Sequence, residues 1–207
     1  MKEGKKLITG TSNGDILTWN APVLTYSVNT VHKQERVQSI TLSNFEKFII
    51  SGDKKGNIVY SNTKMMMKNQ IEDAHPNSCI RDLSFSESSI KFVSCADDGR
   101  AKVFDFVTAT EELVFTEHRS DIKSCDWHPT KSLILTGSKD SYVKIWDPRQ
   151  GGRNVYEKHA HNTTINQVRW NPVNGNWFLT GSRDQKIKVF DIRKANEEFN
   201  TFEGHED

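Results

Sequence analysis

Cysteine is scarce in this chain: Cys79, Cys95 and Cys125 are the only three in 207 residues. That is too few for a disulfide framework at this size, so reduced intracellular thiols are expected. Net charge is nearly absent as well, with 28 Lys and Arg against 27 Asp and Glu. Such a balance gives no general reason to expect a strong nucleic-acid field, although it is compatible with a local basic patch. No apolar run approaches the roughly 18–20 residues of a membrane-crossing helix. The opening MKEGKKLITGTSNG has no apolar stretch of the kind a secretory signal carries. SGDKKGN and TGTSNG lack the spacing of a phosphate-binding loop and read as turns between strands. Nor does any stretch hold a 3.6-residue period for more than a couple of turns. With 10% aromatics and balanced charge, disorder is not expected. These features point to a soluble, intracellular, globular protein of about one domain.

The chain repeats itself. His32, His75, His118, His161 and His205 are separated by 43, 43, 43 and 44 residues. Thr9, Ser51, Ser94, Thr136 and Thr180 keep the same phase, as do Trp19, Tyr60, Phe104, Trp146 and Phe190. Three residue classes in step across the chain establish a period of about 43 residues.

Within a period the pattern is that of strands. One reads IKSCDW (Ile122–Trp127), HPTK, LILTGS (133–138), KDS and YVKIWD (142–147). The next reads INQVRW, NPVNGN, WFLTGS, RDQ and KIKVFD. Runs of five or six β-branched and aromatic residues between Gly, Pro, Ser and Asp predict short strands. About four strands per 40–45 residues describe an all-β fold, a β-propeller rather than a sandwich. The segments AH…TGSRD…KVFD, EH…TGSKD…KIWD and AH…SCADD…KVFD resemble those of WD-repeat proteins. The resemblance implies a single propeller domain over 1–207. Its repeats run at about 1–20 (partial), 21–61, 62–105, 106–147, 148–191 and 192–207 (partial).

Each well-formed period holds a His, a Ser or Thr, an Asp and an aromatic: His118, Thr136, Asp140 and Trp146 in one of them. A Ser/Thr–His–Asp set invites a hydrolase reading. A catalytic set occurs once per site, however, whereas this one recurs with the fold. The WD-repeat resemblance implies a buried chain in which Asp fixes His, His meets the hydroxyl, and the hydroxyl meets the indole N–H. His75, Ser94 and Asp98 form the corresponding set with Phe104, and His161, Thr180 and Asp184 with Phe190; both lack the indole. The second repeat has His32 and Ser51 but Lys55 in the turn and Tyr60, and reads as the least regular. The first has Thr9 and Trp19, with Asn13 in its turn.

The remaining signals are minor. His159 and His161 are not completed into a metal site by any Cys or carboxylate spacing, and no cofactor is expected. Asn162-Thr163-Thr164 matches a glycosylation acceptor that only a secreted protein would use. The cysteines are expected at strand positions among apolar neighbours, and Met65-Met66-Met67 at the start of an outer strand.

A propeller does not name a function. DWHPTK and WDPR lie outside the residues common to WD repeats. With CIRDLSFS…KFVSCADDG and GNWFLTGSRDQKIKVFDIRK…EEFNTFEGHED, they resemble the WD-repeat subunit of the pre-mRNA cleavage and polyadenylation specificity factor. That resemblance implies a nuclear scaffold without catalytic activity. Its expected partners are a large multi-propeller subunit, a zinc-finger subunit and pre-mRNA carrying the AAUAAA signal. No membrane and no small-molecule substrate is implied. Of the family's basic N-terminal segment only Lys2, Lys5 and Lys6 correspond. Lys5 and Lys6 are carried over as phosphate contacts, against the plainer reading of a solvated charged terminus.

Two alternatives stand beside this one. Trp146-Asp147-Pro148-Arg149 and Phe190-Asp191-Ile192-Arg193 resemble the tandem endings of substrate receptors of cullin-type ubiquitin ligases, where Arg149 and Arg193 would face the adaptor. The plainer reading pairs both arginines with neighbouring acids. Hydrolysis by a Ser/Thr–His–Asp set comes third. Seven blades, the number the resemblance implies, need about 300 residues at this period. The chain is therefore expected to hold about five of seven blades, and to self-associate or express poorly alone.

Overall fold

A computed structural model describes residues 6–20, 23, 25–44, 47–62, 66–194 and 198–204. The architecture is all-β, in consecutive antiparallel sheets. The first sheet has three strands, β1 (Lys6–Gly10), β2 (Asp15–Asn20) and β3 (Thr25–Thr30). Four four-stranded sheets follow, each in simple chain order. The second sheet comprises β4 (Val37–Leu42), β5 (Phe48–Asp53), β6 (Ile58–Asn62) and β7 (Met67–Ile71). The third comprises β8 (Ile80–Phe85), β9 (Lys91–Ala96), β10 (Ala101–Asp105) and β11 (Glu111–Phe115). The fourth comprises β12 (Ile122–Trp127), β13 (Ile134–Ser138), β14 (Tyr142–Trp146) and β15 (Asn154–His159). The last comprises β16 (Ile165–Trp170), β17 (Trp177–Ser182), β18 (Lys186–Asp191) and β19 (Glu198–Glu203). Each four-stranded sheet has the size and strand order of a propeller blade.

The chain divides into two compact units, residues 1–80 and 81–207. In the first, Ile16, Val37 and Ile49 form a core with Ile8 and Ile40 packed on it. In the second, one core lies between the third and fourth sheets, where Val93, Phe115, Trp127 and Trp146 meet. A second core lies between the fourth and fifth, with Leu135, Ile145, Val168, Phe178 and Phe190. The alternation of the strands explains this layering. Successive side chains point to opposite faces, so a strand apolar throughout serves two neighbours at once.

The sheet frame and the sequence-repeat frame differ by one strand. β11 lies within repeat 106–147 of the sequence but pairs with β10, the last strand of the preceding repeat. Leu133 and Asp147, expected as strand residues, lie outside β13 and β14. Asp147 instead caps the single helical turn Pro148–Gln150, accepting the Arg149 N–H. Proline cannot donate to a ladder, so the strand ends before it. Cys95 and Cys125 are buried on β9 and β12, whereas Cys79 precedes β8 and is half-buried. The expectation that all three occupy strands therefore holds for two. Burial pushes both buried thiols up, Cys125 well above the ordinary value. Met67 opens β7 and Met66 is exposed; Met65 and His205 lie outside the described residues.

One glycine position records the contact between sheets. A Cβ on Gly137 would sit 2.5 Å from Val168 Cγ1 and 2.7 Å from Ile165 Cγ2. Gly10 and Gly52, at the same place in their sheets, are covered by Val37 and Ile80. Gly181 repeats the position in the last sheet and has nothing within 4 Å. On the same face Leu179 is 43% and Ile187 38% exposed, whereas their counterparts Leu135 and Val143 are fully buried. Gly137→Ala is therefore expected to destabilise by about 1–3 kcal/mol, since the added methyl overpacks the contact. Gly181→Ala should be neutral, or stabilising by up to about 1 kcal/mol through the unfolded chain. Urea denaturation of the two variants checks this; equal shifts would refute the assignment of the contact.

Candidate functional site

The repeated polar residues lie at one end of the sheets, where the turn within a sheet meets the connection to the next. The turns need one left-handed residue each, supplied by Gly14, Gly56 and Gly99 and then by Ser141 and Gln185, all at positive φ. In the fourth sheet His118 Nδ1 lies 2.8 Å from Asp140 Oδ2, and Nε2 lies 2.8 Å from Thr136 Oγ1. The Trp146 indole N–H donates to the same Thr136 oxygen over 2.9 Å. Burial raises the Asp140 carboxyl, but the His118 hydrogen bond, its charge and the N–H groups of Arg119 and Tyr142 outweigh it, leaving it at about 2. An ionised Asp140 makes Nδ1 the donor. Nε2 then accepts the Thr136 hydroxyl proton, and the hydroxyl oxygen is free to accept the indole.

The fifth sheet has the same arrangement without the indole. His161 Nδ1 is 3.0 Å from Asp184 Oδ2, and Nε2 is 2.7 Å from Thr180 Oγ1. Phe190 stacks on Phe178 with ring centres 5.1 Å apart. In the first sheet the Trp19 indole donates to Thr9 Oγ1 over 3.0 Å. His75 is fully buried in the first unit, its N–H donating to Gly56 O. Ser94 is buried on β9, and Asp98, in the following turn, accepts the Arg100 N–H.

The second sheet corrects the sequence reading. Lys55 does stand where the turn carboxylate was sought, and it pairs with Glu35 at the surface. The carboxylate comes instead from Asp53, at the end of β5. Asp53 Oδ2 lies 3.0 Å from His32 Nδ1, and Ser51 Oγ lies 2.8 Å from Nε2. The other Asp53 oxygen accepts the N–H groups of Lys55, Gly56 and Asn57, each at 2.9 Å. Burial raises this carboxyl too, but His32 and Asn57 bring it down to about 2. The residue moved two places along the chain while its carboxylate kept its place in space.

A second polar cluster was not anticipated. It joins β8, β12 and β16, the first strands of three consecutive sheets. Asp82 on β8 accepts Ser124 Oγ from β12 and Arg169 Nη1 from β16, both at 2.8 Å. Asp126 on β12 accepts Ser84 Oγ from β8 at 3.1 Å and the Trp170 N–H from β16 at 2.8 Å. Each carboxylate thus spans three sheets. The signal was present in IRDLSF, IKSCDW and INQVRW, whose third and fifth places are all polar. Burial pushes the Asp126 carboxyl up to about 6; the Trp170 N–H, the Arg169 charge and Ser84 oppose it, and the Asp82 charge adds to it.

The other candidates are dispersed. Lys6 is exposed at the start of β1, and Lys2 and Lys5 lie outside the described residues. Arg149 grips Asp147 through Nε and Nη2 at 2.9 and 2.7 Å. Arg193 grips Asp191 in the same way at 3.0 and 2.6 Å. Both side chains remain largely exposed, at 72% and 61%. His159 sets its ring against Tyr142, whereas His161 is buried in the fifth sheet's network. Among the described residues no group of His, Cys, Asp and Glu could hold a metal ion.

The family model described as WD domain, G-beta repeat, matches residues 68–105, 110–147 and 152–191. Polyadenylation factor subunit 2 of Neurospora crassa is 36% identical over 175 residues, 84% of this chain and 26% of that protein. Its namesake in Aspergillus fumigatus is 39% identical over 174 residues, again 84% of the chain and 30% of that protein. The mouse peroxisomal targeting signal 2 receptor is 33% identical over 100 residues, 46% of the chain and 31% of the receptor. The chain spans roughly a third or less of these relatives. It belongs to the WD-repeat family.

Three substitutions test the geometry. Asp140→Ala leaves a buried histidine without its partner and should destabilise by about 1–3 kcal/mol. Asp53→Ala should cost a comparable amount in the second sheet, and a silent Asp53→Ala in urea melts would refute its role. Both carboxyls are held near 2 in the folded chain. Their stabilisation is therefore present above the unfolded value of about 3.9 and is lost as pH falls towards 2. Asp126 behaves oppositely. Its raised folded pKa makes the folded chain the better proton binder between about 4 and 6, so its ionisation weakens the fold as pH rises through that window. Asp126→Asn should gain melting temperature relative to wild type between pH 4 and pH 7; a constant difference would contradict this.

Proposed function

We propose that this WD-repeat chain is a non-catalytic scaffold within a multi-subunit factor for nuclear pre-mRNA 3′-end cleavage and polyadenylation, where it helps bind the AAUAAA signal. Its partners would be a large multi-propeller subunit, a zinc-finger subunit and the pre-mRNA. The observation that carries this reading is the match to polyadenylation factor subunit 2 along 84% of the chain. DWHPTK and WDPR support it from residues that WD repeats do not share in general.

The chemistry of the networks supports a scaffold over an enzyme. Thr136 is fully buried, and its oxygen is engaged by His118 and by the Trp146 indole. A nucleophile must reach substrate, and this fully buried hydroxyl has no free approach. The ubiquitin-ligase reading has one observation in its favour, the exposed Arg149 and Arg193 at equivalent places in consecutive repeats.

Affinity capture from nuclear extract, with the tagged chain as bait and mass spectrometry as readout, separates these readings. Recovery of polyadenylation-factor subunits is expected. A cullin adaptor in their place, lost in an Arg149→Ala/Arg193→Ala variant, would overturn the assignment. So would ester turnover that disappears in Thr136→Ala.

A further inference from the structure

The second unit carries a continuous rim of loops on which exposed cations stand without ion pairs. The turn at 97–100 packs on the connection at 118–121, where a Cβ on Gly99 would come within 3.1 Å of Ser120 O. That connection is bonded to the turn at 138–141 by Lys139 N–H to Asp121 O and by Arg119 N–H to Asp140, both at 2.9 Å. Ser141 Oγ then donates to Thr163 O, and the Arg183 N–H to Thr164 O, each at 2.9 Å. The rim thus runs unbroken over the third, fourth and fifth sheets.

Six cations and six carboxylates lie along it, so its formal sum is zero; the exposed Glu117 accepts the Asn154 N–H at its edge. Position, not the sum, decides what it presents. Asp97 is engaged by Arg81 at 2.5 and 2.8 Å and by Lys123 at 2.7 Å, and Lys123 also holds Asp121 at 2.7 Å. Asp140 and Asp184 are turned inward on His118 and His161, and Asp98 is folded onto its own turn. Arg81 and Lys123 are consumed by this pairing. Arg100, Arg119, Lys139 and Arg183 are all exposed, and none has an ion pair among the described residues. Beside Lys139, the half-exposed Tyr142 ring meets the exposed His159 ring at 5.1 Å and 66°.

We propose that this rim is a contact surface for single-stranded RNA, with Arg100, Arg119, Lys139 and Arg183 meeting successive phosphates and the Tyr142–His159 pair stacking on a base. Unpaired cations along a track answer a backbone charged at every residue, and exposed rings beside them answer unstacked bases. A lipid surface would also satisfy the cations, and anionic vesicles are therefore one arm of the test. The choice of RNA among polyanions rests on the mRNA-processing reading above.

The test is fluorescence anisotropy of the full chain with a labelled A/U-rich 12-mer RNA, titrated at several salt concentrations. The comparison is with Arg119→Glu/Lys139→Glu/Arg183→Glu, with Tyr142→Ala, and with Lys131→Glu/Arg153→Glu on the opposite loops. Because the three rim side chains are exposed and unpaired, their circular dichroism and melting should match wild type. The milder Arg119→Gln/Lys139→Gln/Arg183→Gln repeats the test should the reversal fail to fold. Loss of affinity of roughly ten-fold or more is expected for the rim reversal. The slope of log affinity against log salt should become shallower by about 0.7 for each phosphate no longer neutralised. Tyr142→Ala should weaken binding without changing that slope, and the opposite-loop variant should bind as wild type does. No binding by wild type, equal binding by the folded rim variants, or rim-dependent binding only to anionic vesicles would overturn the proposal. A rim variant that binds RNA normally while the chain still captures polyadenylation-factor subunits refutes the rim alone. Rim-dependent RNA binding without such capture refutes the complex and leaves the rim standing.

Discussion

The arrangement of the sheets depends on a buried imidazole held from two sides. His161 takes its backbone position from the fourth sheet, its N–H reaching Ser141 O at 3.5 Å, while its ring is fixed by Asp184 and Thr180 in the fifth. His32 does the same between the first two sheets, through Gly14 O and then Asp53 and Ser51. A neutral ring with one donor and one acceptor satisfies both partners only in one tautomer and one orientation. Because an unpaired polar group in such a place is costly, the network fixes the approach of one sheet to the next more sharply than apolar contact alone. Apolar burial still supplies most of the cohesion, through cores such as that of Leu135, Val168 and Phe190.

The same requirement settles which residues are available for function. The hydroxyl–imidazole–carboxylate sets, which look most like chemistry, are used up in joining sheets. The Asp82 and Asp126 seam is likewise committed, binding the first strands of three sheets together. What remains free is the periphery, where the turns that hold the networks also raise Lys139 and Arg183 into solvent. The interior networks position those loops.

Much of this was legible in the sequence because repetition turns weak local signals into a strong one. Strand limits in INQVRW, WFLTGS and KIKVFD coincide with β16, β17 and β18, since alternation and turn residues agree there. The second sheet's carboxylate was not legible. A search at a fixed spacing finds Lys55, yet Asp53 reaches His32 from the strand end because a side chain satisfies distance and angle, not register. The seam between β8, β12 and β16 was hidden for a related reason. Its members are 42 to 87 residues apart, and a polar residue within a strand does not name its partner.

The sequence alone determined the period, the strand content and the residue classes of the networks, because all three are set by short-range chemistry repeated along the chain. Its scarce net charge also stands as read, since formal charge is a property of composition. Tertiary structure alone decided how that charge is spent. It joined Asp97 to Arg81 and Lys123, turned Asp140 and Asp184 inward, and left Arg100, Arg119, Lys139 and Arg183 outside. The physical reason is that ion pairs form across space between loops of different sheets, and only the packing of those sheets fixes which charges meet.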